Sequence, residues 1–63
     1  MRSAVFDKAL WIRQFKRRLR DLLGGDYDEG FASEIVETYW DRERMYCTPE
    51  HCAEIEASEH GQY

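Results

Sequence analysis

The stretch Leu19-Arg20-Asp21-Leu22-Leu23-Gly24-Gly25-Asp26-Tyr27-Asp28-Glu29 sets the topology, because it closes one helix and opens another within a few residues. No Gly or Pro falls between Ser3 and Leu23. Gly24-Gly25 then supplies the residue type that takes the left-handed conformation of a helix C-terminal cap without steric cost. Asp26 comes next, with Glu29 at the spacing of a capping box, so the pattern predicts a second helix from about residue 27. So short a connection between two helices implies a helical hairpin.

Toward the N-terminus, Ser3 is an acceptable N-cap and predicts a first helix over residues 3–23. At about 100° per residue, Val5, Ile12, Phe15, Leu19, Leu22 and Leu23 share one sector, with Trp11 at its edge and Arg13, Arg17 and Arg20 opposite. That apolar side has to face a core. Toward the C-terminus, Phe31, Ile35, Val36, Tyr39 and Trp40 recur on one broad face of a helix over residues 27–46, and Glu34, Glu37, Asp41 and Arg44 occupy the other. Thr48-Pro49-Glu50 is the sharpest start signal in the chain: an N-cap, a proline at the first helical position and an acid in the first turn. It predicts a short third helix over residues 49–58, with Cys52, Ile55 and Ala53 inward and Glu50, Glu54, Glu56 and Glu59 in solvent. Its apolar content is thin, which predicts loose docking and a frayed tail over residues 59–63. The reading is one all-α domain over residues 1–63.

The chain has 63 residues, and a single core below roughly 70–80 residues rarely supplies more than about 3–5 kcal/mol. Doubly wound sheets, barrels and immunoglobulin sandwiches are excluded by length. No stretch approaches the roughly 18 apolar residues of a membrane span. Met1-Arg2-Ser3 lacks a signal-type apolar run behind it, so a cytoplasmic setting is expected. The formal net charge of -4 conceals a dipole, since residues 1–23 carry +5 and residues 24–63 carry -9. Opposite signs on successive helices favour their pairing.

Apolar residues exceed what one hairpin can cover. Phe6 and Leu10 project away from the main stripe of the first helix, and the second helix is apolar over more than half its circumference. The surplus predicts a homodimer assembling as a helical bundle. These features point to a small helical interaction module that binds another protein and regulates its activity or assembly. Aromatic residues and arginines dominate binding hot spots, which selects Phe6, Leu10, Arg13 and Arg17 on one surface and Tyr39, Trp40 and Tyr46 on another.

Two alternatives stand beside this reading. Arg13, Lys16, Arg17 and Arg20, with Arg2, form a basic stripe suited to phosphates and hence to nucleic acid. Cys47 and Cys52, with His51 and His60 nearby, suggest a small zinc or redox module, although four convergent metal ligands are not spelled out and free thiols are expected. No cofactor is implied. Carboxylates are abundant, yet a hairpin this small has little volume in which to shelter a catalytic pair, so no enzymatic site is expected.

Overall fold

A computed structural model describes residues 7–60, so Ser3, Phe6 and residues 61–63 lie outside the described residues. Three helices make up the fold, α1 over Lys8–Leu23, α2 over Glu29–Glu43 and α3 over Pro49–Glu59, and no strand occurs among the described residues. Helix α1 packs against both of the others.

Each boundary follows from a capping contact, and several differ from the sequence expectation. Asp7, rather than Ser3, caps α1: its backbone is extended, and Oδ1 accepts the Leu10 N–H at 3.3 Å. Gly24 ends the helix with φ at +59°, and its N–H donates to the Arg20 carbonyl. Gly24–Asp26 then form one 3-10 turn, with the Tyr27 N–H donating to the Gly24 carbonyl. That turn uses up Asp26, so Asp28 caps α2 instead, accepting the Gly30 N–H at 3.0 Å. Helix α2 stops at Glu43 rather than at residue 46, because the N–H groups of both Tyr46 and Cys47 turn back onto the Glu43 carbonyl at 2.8 Å. Thr48 caps α3 as expected, its Oγ1 accepting the His51 N–H at 3.1 Å ahead of Pro49. Replacing Thr48 with Ala is expected to lower stability by about 0.5–2 kcal/mol, read as a lower urea midpoint at unchanged slope.

The core consists of Trp11, Phe15, Leu19 and Leu23 from α1, Ala32 and Val36 from α2, and Cys52, Ala53 and Ala57 from α3. Loose docking of the third helix is therefore incorrect. Its inward residues are small, and small residues let the backbones of α1 and α3 come close along their length. Glu56, expected in solvent, is only 5% exposed, and the Tyr39 hydroxyl donates to its Oε1 at 3.0 Å. His60 Nε2 lies 2.8 Å from its second oxygen, so both acceptor atoms are engaged. Burial, and then the Glu56 carboxylate, pushes the Tyr39 phenol well above its ordinary range.

Ion pairs fix how the helices align. Lys8 meets Glu37 at 3.0 Å and Lys16 meets Glu29 at 2.7 Å, which sets α2 antiparallel to α1. Arg18 reaches Glu54 on α3 at 3.1 Å. The opposite charges of the two halves are thus partly spent on joining them. Surface pairs of this kind stabilise little individually, but they disfavour other alignments.

Candidate functional site

Among the described residues, the large hydrophobic side chains left exposed are Leu10, at 40%, Met45, at 63%, and Tyr46, at 83%. All three border one groove of about 410 Å³, between the start of α1 and the α2–α3 connection. Asp7, Trp11 and Gln14 extend the α1 wall, and Arg44, Cys47, Thr48 and Pro49 complete the opposite one. The groove exists because α2 ends three residues before Tyr46. The backbone turning onto Glu43 carries Met45 and Tyr46 outward while Pro49 starts α3 against the core.

An aromatic and cationic cluster stiffens the groove's inner side. Trp11 stacks with Phe15 at 6.0 Å and meets the edge of Trp40 at 5.7 Å, while Phe15 approaches Tyr39 at 5.4 Å. The Arg44 guanidinium lies 4.8 Å from the centre of the Trp40 ring and donates to the Trp40 carbonyl at 3.0 Å. Arg44, expected on the solvent face, is thereby held against the fold. Cation–π contacts of this kind contribute roughly 0.5–1 kcal/mol at exposed sites.

The two recognition surfaces expected from sequence are regrouped by the structure. Leu10 and Tyr46, assigned to different surfaces, share the groove. Tyr39 and Trp40 are half-buried and packed against the core, and neither borders this groove. Phe6 lies outside the described residues. Arg13 and Arg17 are exposed on the outer side of α1 with Arg20. Among the described residues these three arginines have no carboxylate within ion-pair distance, whereas Lys16 is committed to Glu29 and also donates to Ser33 at 2.8 Å. Met45 and Gln14 were missed by the sequence reading. Met45 follows Arg44 in a segment read as helix, which hid the outward turn that exposes it.

A second, open concavity borders the basic side, lined by Arg13, Lys16, Arg17, Arg20, Tyr27 and Glu29 among others. Hydrogen bonds from Lys16 and then Tyr27 hold the Glu29 carboxyl below its ordinary range. Burial and the bond to Glu29 push the Tyr27 phenol up to about 12. A phenol raised in the folded state stabilises the fold below its ordinary value near 10, and that contribution is lost as pH rises through about 12. Unfolding followed across this alkaline window is expected to show a loss of stability that is smaller in Tyr27→Phe.

The cysteines are both free, Cys52 fully buried and Cys47 partly so. Burial, with Cys47 beside it, pushes the Cys52 thiol up to about 12. Maleimide is therefore expected to label Cys47 well before Cys52 in the folded chain, as intact mass and peptide mapping would show. No cluster of three or more His, Cys, Asp or Glu side chains suited to a metal ion occurs among the described residues. Nor is any helix among them long and apolar enough to cross a membrane. The described residues form a small three-helix unit with a surface groove bordered by Leu10, Met45 and Tyr46. Compared with known proteins, the chain matches no protein-family model, no curated protein and no solved structure.

Proposed function

We propose that the chain is a protein-interaction module whose groove between α1 and the α2–α3 connection receives an apolar side chain or short apolar segment of a partner protein. The observation that carries this reading is the convergence of Leu10, Met45 and Tyr46 on one depression, while the other large apolar side chains described are buried or half-buried. Scattered single apolar residues are ordinary on a protein surface, but a cluster around a concavity marks a binding surface. Tyrosine and methionine suit the task, the first as a rigid amphipathic contact and the second as an adaptable one. Binding there would regulate the partner by occupying or bridging its surface. Affinity capture run in parallel with the native chain, Leu10→Glu/Tyr46→Ala and Arg13→Glu/Arg17→Glu tests it. A partner retained by the arginine variant and lost by the groove variant supports the reading, and a partner indifferent to the groove variant contradicts it.

The homodimer expected from surplus apolar surface keeps a narrower basis, because Tyr39 and Trp40 find their contacts within the chain. A second copy would have to bury the groove's rim. Sedimentation equilibrium distinguishes a doubled mass from the 7.6 kDa monomer.

Nucleic-acid binding rests on a separate observation, the three exposed arginines on α1 that have no carboxylate within ion-pair distance among the described residues. It predicts an affinity falling with salt at a logarithmic slope of about -0.9 per phosphate contacted, and abolished by replacing Arg13, Arg17 and Arg20 with Glu. Absence of binding to duplex or single strands at low salt removes it.

A further inference from the structure

Thr48 is the N-cap of α3 and Pro49 its first residue, so Cys47 stands just before the cap and Cys52 at the fourth helical position. Those two positions are the ones at which apolar residues pack together as a hydrophobic staple and fix the entry of the chain into a helix. Here both are cysteines. Cys47 is anchored through its N–H to the Glu43 carbonyl at 2.8 Å, and its Sγ lies 3.8 Å from a Glu43 carboxylate oxygen. Cys52 is anchored through its N–H to the Thr48 carbonyl at 3.1 Å and has no exposed surface. The end of α2 and the start of α3 therefore bring both cysteines to one corner of the fold, with Cys47 packed against the core to which Cys52 belongs.

We propose that Cys47 and Cys52 are an oxidisable pair that forms a reversible intramolecular disulfide by exchange with a small-molecule disulfide of the glutathione type, fastening the α2–α3 connection to the first turn of α3. Partly exposed Cys47 is the point of entry. Its thiolate attacks one sulfur of glutathione disulfide, breaking that S–S bond and releasing one glutathione thiolate. Cys52 then gives its proton to solvent and attacks the Cys47 sulfur of the mixed disulfide, releasing the second glutathione. The protein loses two protons and two electrons, and one glutathione disulfide becomes two glutathione thiols. Burial of Cys52 favours its neutral thiol, which makes the second step the slower one. The bridge restrains the connection that carries Met45 and Tyr46, and its formation does not depend on what the groove binds.

The test treats the full chain with oxidised glutathione, quenches with acid, and reads intact mass, alkylation after denaturation, and size. The expected product is a monomer lacking two hydrogens with neither cysteine alkylated. Tryptic cleavage after Arg44 is expected to slow in that product and to recover on reduction. Cys52→Ala is expected to stop at one glutathione on Cys47, and Cys47→Ala to leave Cys52 unmodified while folded. A native chain that retains a stable glutathione adduct, links to a second copy through a disulfide, or stays a dithiol overturns the proposal.

Discussion

Replacing Phe15 with Ala is expected to leave the chain largely unfolded at room temperature. Phe15 has no exposed surface and stands at the centre of the fold, stacked with Trp11 and in contact with Tyr39. Truncating a buried phenylalanine costs about 3–5 kcal/mol, from lost burial and from the cavity left behind. A domain of this size has only about 3–5 kcal/mol to lose, so the two quantities nearly cancel. Far-ultraviolet circular dichroism should show most of the helical signal gone, and Phe15→Leu, which refills much of the space, should restore a cooperative transition at a lower midpoint. A Phe15→Ala chain that unfolds cooperatively near the native midpoint would mean that the helices do not converge on this residue.

Ala53→Leu is expected to have the next largest effect, by the opposite mechanism. Ala53 is fully buried on the face of α3 that meets α1, where the two backbones run close together. Three extra carbons there force the helices apart, and overpacking of this kind costs about 1–3 kcal/mol. The damage should spread to the groove, because Thr48 and Pro49 line it and move with α3. Ile55→Leu, at a half-buried position on the same helix, is the matched control and should change the midpoint little. Were Ala53→Leu as stable as the native chain, α3 would not be docked closely on α1.

These two substitutions also mark where the sequence was informative. Phe15, Leu19 and Leu23 were legible because they repeat at helical spacing on a side opposite Arg13, Arg17 and Arg20, and all three are buried. Gly24 and Thr48 were legible because their chemistry is local: one takes a positive φ and the other caps a helix with its own hydroxyl. Ala53 was placed inward and is buried, but Ala57 was not legible, since alanine carries so little hydrophobic signal that the helix with the closest contact to α1 read as the weakest, and Ile55, expected inward, is only half-buried. Glu56 was missed for a related reason. A glutamate on a short acidic helix reads as solvated, and only the tertiary arrangement brings Tyr39 and His60 to its two oxygens. The groove combines both cases. Leu10 and Tyr46 stood out individually, but their meeting depends on where α2 stops, and that is set by two backbone N–H groups competing for the Glu43 carbonyl. The pairing of Cys47 with Cys52 had a readable signal in the staple spacing around Thr48, although two cysteines are an uncommon choice for it.

Leu10, Met45 and Tyr46 are proposed as the surface that meets a partner. Titration of the isotopically labelled chain with its captured partner, followed by nuclear magnetic resonance of side-chain methyl and aromatic signals, tests it most directly. The account predicts that the Leu10 and Met45 methyls and the Tyr46 ring respond first and most strongly, with Gln14 and Thr48 beside them. Strong responses confined to Arg13, Arg17 and Arg20 on the outer side of α1, with the groove silent, would contradict it.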